Sequence, residues 1–99
     1  MMEELLNEVV RLLGSLHYTA DLDAEDGKGT MSLQSDVSGK DLPVFLDYDQ
    51  KDDTAYVFFW DQAKDPLLIQ VLDEMPLSSV TSEEMARRYV NRCLPFMRV

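Results

Sequence analysis

The side chains in this sequence that could carry covalent chemistry are one histidine, His17, and one cysteine, Cys93. A cysteine becomes a nucleophile when a neighbouring base or cation favours its thiolate, so a Cys–His pair would need the two ends of the chain to meet. The pattern around each residue points elsewhere. Cys93 falls on the apolar side of a helical repeat with Met85, Ala86, Tyr89 and Val90, where a cysteine behaves as a small hydrophobe. His17 alternates with apolar Tyr18 on the polar side of a strand pattern.

The acidic clusters raise a second chemistry, since hard cations collect several carboxylate oxygens from one compact loop. The run Asp21-Leu22-Asp23-Ala24-Glu25-Asp26-Gly27 begins like a calcium loop. Such a loop wants glycine at its sixth position and glutamate at its twelfth, and here those positions hold Asp26 and Ser32. Asp47, Asp49 and Asp53 have the first, third and seventh offsets, but no turning glycine follows and the twelfth residue is Phe58. No glycine-rich phosphate loop is present, and a sheet this small does not supply the cleft that a pair of glycosidase carboxylates requires. The expectation is a protein without catalytic residues, metal or cofactor.

What remains is surface. Thr54-Ala55-Tyr56-Val57-Phe58-Phe59-Trp60 is apolar on both alternating faces of a strand: Ala55, Val57 and Phe59 point one way, Tyr56, Phe58 and Trp60 the other. One row fills a core and the other needs cover; the pattern leaves open which is which. Tyr and Trp are common binding anchors because each offers a large contact area and a polar handle. The stretch is flanked by Asp47, Asp49, Asp52 and Asp53 before it and by Asp61 and Asp65 after it. Tyr56, Phe58, Phe59 and Trp60, framed by Asp47, Asp49, Asp52, Asp53 and Asp61, are therefore the candidate partner-binding residues.

The elements that must position these residues can be read from periodicity. Leu5, Leu6, Val9, Leu12, Leu13 and Leu16 make a helical stripe over residues 2–16, ended by Gly14 and Ser15. From His17 the period becomes two, with Tyr18, Ala20 and Leu22 on one side. Asp23 to Gly29 is a polar turn, and Met31, Leu33 and Val37 continue into a hairpin partner. Leu42, Val44, Leu46 and Tyr48 form the third strand, with Pro43 at its beginning, and residues 54–60 form the fourth. Leu67 to Leu72 reads as a fifth strand, with a helical turn as the competing assignment. Thr81-Ser82-Glu83-Glu84 offers a capping box for a second helix with Arg87, Arg88 and Arg92 outward, ended by Pro95. The expected fold class is α+β: a single domain over 1–99 with an N-terminal helix, a four- to five-stranded antiparallel meander and a C-terminal helix.

Charge narrows the partners. The chain of 99 residues carries a formal charge of −10. Residues 1–79 hold seventeen Asp or Glu against five Lys or Arg, whereas residues 80–99 hold two against four, so the molecule is polarised. Such a body is repelled by nucleic-acid phosphates and anionic membranes and attracted to basic protein surfaces. The longest apolar runs fall far short of the roughly 20 residues that span a bilayer, the acidic N-terminus lacks the basic region of a signal peptide, and a lone cysteine forms no internal disulfide. The expected location is cytoplasmic.

The passage Leu72-Asp73-Glu74-Met75-Pro76-Leu77-Ser78-Ser79-Val80-Thr81-Ser82-Glu83-Glu84-Met85, leading from a meander into a last helix, resembles the YbjN and type III secretion chaperone-like group of small acidic α/β proteins. Members of that group usually carry an extra helix between the middle strands, where this chain has only Gln62 to Pro66. The resemblance implies partner binding without catalysis or cofactor. The expected function is thus a non-enzymatic, chaperone-like or regulatory protein-binding module, with a homodimer as one arrangement. The alternative is a phage- or immunity-type inhibitor of the DNA-mimic or anti-CRISPR class, whose carboxylates stand in for phosphates on a basic nucleic-acid-binding surface.

Overall fold

A computed structural model describes residues 2–61, 63–64 and 66–97. Helix α1 (Met2–Leu13) is followed by five strands, β1 (Tyr18–Glu25), β2 (Lys28–Ser35), β3 (Val44–Asp49), β4 (Thr54–Phe59) and β5 (Gln70–Pro76). A 3₁₀ turn (Leu77–Ser79), helix α2 (Ser82–Cys93) and a second 3₁₀ turn (Leu94–Phe96) complete the chain. The strands form one sheet in the order β1-β2-β3-β4-β5, every neighbour antiparallel. The α+β class and the meander expected from periodicity are what the chain adopts.

Sequence chemistry accounts for the joints. Helix α1 buries Leu5, Val9 and Leu13, one residue per turn on a single stripe. It stops earlier than the stripe suggests, because Gly14 takes a left-handed conformation (φ 54°) and its N–H closes on the Val10 carbonyl at 3.2 Å. Leu16, beyond that stop, is exposed. The first hairpin is tighter than a polar turn over Asp23 to Gly29. Glu25 pairs with Lys28, and only Asp26 (φ 51°) and Gly27 (φ 78°) form the loop. Asp-Gly is the sequence that tolerates positive φ at both central positions of a type I′ turn.

Helix α2 begins at Thr81, whose hydroxyl accepts from the Glu84 N–H at 3.0 Å. The Glu84 carboxylate lies 3.9 Å from Arg87, so only the forward half of the expected capping box forms. Both helices lie against the same face of the sheet. On that face Met31, Leu33, Val44, Leu46, Ala55, Val57 and Met75 meet Leu5, Val9 and Leu13 from α1 and Met85, Ala86, Tyr89, Val90 and Cys93 from α2. The two-residue alternation of burial along β2 and β3 follows from this one-sided cover.

Strand β5 starts at Gln70 rather than Leu67. A bulge interrupts its ladder with β4: Val57 faces Asp73, whereas the next residue, Phe58, faces Val71. Asp73, on the helix side, takes a two-pronged hydrogen bond from Arg88 of α2, with Nε to Oδ2 at 2.8 Å. This bond holds the Asp73 carboxyl below its ordinary value, against a smaller opposing effect of burial. A depressed folded-state value stabilises the fold above the unfolded carboxyl's pKa, about 3.9, and the contribution is lost as pH falls through the folded value. Asp73→Asn should therefore cost about 1 kcal/mol near neutral pH, the upper end for such pairs. Urea titrations of both proteins should begin to converge as pH falls below about 4 and meet once it is below the folded Asp73 value; a gap that persists at the acid end would rule out the ion pair as its cause.

Candidate functional site

Among the described residues, no helix or strand lies over the face of the sheet turned away from the two helices. Alternate residues of each strand stand on it, and the register aligns them in rows. One row runs Asp23, Thr30, Asp47, Tyr56, Glu74, and the row nearer the hairpin ends runs Glu25, Lys28, Asp49, Thr54, Pro76. On the other side of the first row, Phe45, Phe58 and Val71 are aligned across β3, β4 and β5. The face is therefore divided into a carboxylate band and an apolar band, about 7 Å apart from row to row, as two residues of strand require.

The apolar band is an aromatic cluster. Phe45 stacks on Phe58 with centroids 5.6 Å apart and meets Trp60 at 6.1 Å in a tilted arrangement. Phe58 is 8% exposed, sheltered by its neighbours on the open face. Trp60 donates its indole N–H to the Pro66 carbonyl at 3.0 Å, which ties the β4–β5 connection back to the cluster. Beyond it the chain presents Leu68 (62% exposed), Ile69 (54%) and Val71 (54%), with Leu67 beside them at 93%. Scattered exposed leucines are ordinary, whereas contiguous exposed apolar patches are commonly interaction sites.

The structure separates the residues singled out from the sequence. Tyr56, Phe58 and Trp60 share the open face. Phe59 belongs with Ala55 and Val57 on the helix side, where it packs on the core and meets Phe96 at 5.5 Å. Asp47 and Asp49 stand on the open face; Asp47 accepts from the Thr30 hydroxyl at 2.7 Å, and Asp49 lies 3.8 Å from the Lys28 ammonium. Asp52 lines the shallow depression at the hairpin ends together with Asp23, Glu25, Asp26, Asp47 and Asp49.

Asp53 has a different task. It sits at φ 52° and accepts from both the N–H and the hydroxyl of Ser78, each at 2.7 Å, fastening the β3–β4 turn to the 3₁₀ turn after β5. Asp61 caps its own turn, accepting from the N–H groups of Ala63 and Lys64. Asp65 lies outside the described residues.

The sequence reading missed Asp21, Asp23 and Glu25 as members of this surface, and likewise Phe45, Glu74 and Val71. The signal for the first three was available: once Asp26-Gly27 is taken as a two-residue loop, alternation puts all three on one face of β1. The exposed run from Leu67 has the composition of a buried strand, which is why the sequence predicts a fifth strand over Leu67 to Leu72.

The two soft nucleophile candidates are not joined. Cys93 is fully buried beside Tyr89, and burial pushes its thiol up to about 12, which leaves it protonated and unreactive at neutral pH. His17 is exposed and lines a shallow surface hollow with Leu16, Lys40, Asp41 and Phe96, and Cys93 is not among the residues lining it. Among the described residues no three His, Cys, Asp or Glu side chains converge to hold a metal ion. No helix among them is long and apolar enough to cross a membrane. Comparison of the chain with protein-family models, with curated proteins and with solved structures finds no match.

Proposed function

We propose that this protein is a non-enzymatic binding module that holds a protein partner against the open face of its sheet. The observation that carries the reading is the Phe45, Phe58 and Trp60 cluster with exposed Val71 aligned beside Phe58, on a face that neither helix covers, and with exposed Leu68 and Ile69 just before it in the chain. Burying such a surface is the dominant favourable term in association, and aromatic side chains at its centre supply the anchors. The carboxylates beside it steer basic surfaces toward the face and repel nucleic acid and anionic membrane. A chaperone-like or regulatory role is consistent with this arrangement.

One observation favours a second reading, an inhibitor that blocks a nucleic-acid-binding surface by imitating phosphates. Asp21, Asp23 and Glu25 form a straight row of carboxylates along β1, spaced about 7 Å apart. The readings differ in where the energy lies: an apolar anchor survives high salt, whereas phosphate imitation loses affinity steeply as salt rises.

The triple variant Leu68→Ser, Ile69→Ser, Val71→Ser tests the first reading, since exposed positions tolerate polar side chains with little effect on stability. Affinity capture from host extract at low and high salt should retain a specific protein on the wild type and lose it on the variant. A wild-type protein that stays monomeric and captures nothing the variant does not would refute the proposal.

A further inference from the structure

We infer that the segment received by the open face is cationic and amphipathic: an apolar side seated on Phe45, Phe58 and Val71, with Lys or Arg side chains lying over Asp23, Asp47 and Glu74. The inference rests on the protein-binding reading and names the chemistry of the partner. Its basis is the division of the face into two parallel bands. The flexible stem of a lysine or arginine covers the step of about 7 Å between the rows while its head stays at the carboxylates. One cation, Lys28, stands within the carboxylate band, and Asp49 holds it. The negative charge therefore exceeds what the face itself neutralises.

The same charges decide against the other occupants. A second copy brought face to face with the rows in register would set carboxylate band against carboxylate band, and any face-to-face pairing brings together two chains of −10 each. A small apolar ligand needs a concave pocket that buries most of its surface, and the apolar band is carried on a sheet face and a strand edge. Nucleic acid meets the same repulsion as a second copy. A partner segment with apolar and basic sides satisfies both bands at once. Apolar contact then sets how long the complex lasts, while charge sets how fast it forms and how it responds to salt.

The test uses the full-length protein and three synthetic peptides of about fourteen residues, long enough to cross five strands extended or helical. One is an amphipathic leucine–lysine peptide, one its leucine–glutamate counterpart, and one a serine–lysine peptide without apolar side chains. Trp60 fluorescence and peptide anisotropy report binding. The leucine–lysine peptide should bind and the other two should not. The triple variant Asp23→Asn, Asp47→Asn, Glu74→Gln should weaken binding about tenfold. Glu3→Gln, Glu4→Gln, Glu83→Gln, which changes the net charge equally but on the helices across the sheet from the face, should weaken it less than about threefold.

Equal losses in the two triple variants would reduce the effect to net charge and overturn the inference. So would binding of the leucine–glutamate peptide, no binding of any peptide, or a dimer in sedimentation that shields Trp60. The protein-binding reading fails separately, by the Leu68, Ile69, Val71 variant retaining every captured protein. Circular dichroism confirms that each variant is folded before it is scored.

Discussion

Substituting alanine for Gly29 is expected to lower the stability of the fold by about 1–3 kcal/mol, the range for forcing a methyl into a packed site. Gly29 of β2 stands directly opposite Tyr48 of β3, and the Tyr48 ring lies across the place a side chain would occupy. A Cβ built on Gly29 would be 2.4 Å from Tyr48 Cε2 and 2.6 Å from its hydroxyl oxygen. The requirement is one of space, in contrast to Gly27, where positive φ makes the demand. Tyr48 cannot swing aside freely: it is 4% exposed and packed in the core. Its hydroxyl is buried without a hydrogen-bond partner among the described residues, so packing on Gly29 fixes the ring. Denaturant titration should show a lower midpoint with an unchanged slope. Pairing Gly29→Ala with Tyr48→Leu should recover part of the loss, since the two residues are in contact. A single alanine variant within about 0.5 kcal/mol of wild type, the scatter of inert surface changes, would show that the ring does not need the gap.

Gly29 also illustrates what was legible in the sequence. The helical stripe of Leu5, Val9 and Leu13, the alternation along β2 and β3 and the Thr81 cap are local signals, each read within a few residues. The face of β4 that stays open was not legible, because Ala55, Val57 and Phe59 are as apolar as Tyr56, Phe58 and Trp60. Only the seating of both helices on one side resolves it, and that seating is tertiary. Asp53 was read as a steering charge at a hairpin tip. Its partner, Ser78, lies 25 residues further on, beyond any local pattern. The start of β5 was misplaced for a similar reason: Leu67, Leu68 and Ile69 have strand composition, but β4 ends at Phe59, whose partner is Gln70.

The open face inherits its rigidity from the opposite side of the sheet. Each open-face side chain alternates with a core side chain, so Phe45 is flanked by Val44 and Leu46, and Tyr56 by Ala55 and Val57, all fully buried. A binding surface on strands backed by a close-packed core holds its anchors in place before the partner arrives, which limits the ordering cost of association. Defects in the core beneath β3 should therefore be felt at the aromatic cluster.

Tyr89 is where that coupling should be largest. Strands β2 and β3 pair from Lys28 with Asp49 to Met31 with Leu46, then separate, and the Leu42 N–H rejoins the Leu33 carbonyl at 2.8 Å. In the gap, the Tyr89 hydroxyl from α2 reaches the Val44 carbonyl at 3.0 Å and the Met31 carbonyl at 3.4 Å. Tyr89 is fully buried, and burial raises its phenol far above the ordinary value, so the group remains a donor at any ordinary pH. Tyr89→Phe keeps the ring and removes only the donor. Leaving a buried carbonyl unsatisfied should cost about 1–3 kcal/mol. Tyr89→Ala adds the cavity of a lost ring and should cost about 4–5 kcal/mol in total. The order wild type, Phe, Ala should appear in urea midpoints. In the Phe variant, amide exchange should quicken around Val44 and Phe45 more than in α1, since the lost bond is local to β3. A Phe variant as stable and as protected as wild type would mean that the gap between β2 and β3 closes without the hydroxyl. A measurable loss of peptide affinity in the same variant would place Phe45 under the control of a side chain on the far side of the sheet.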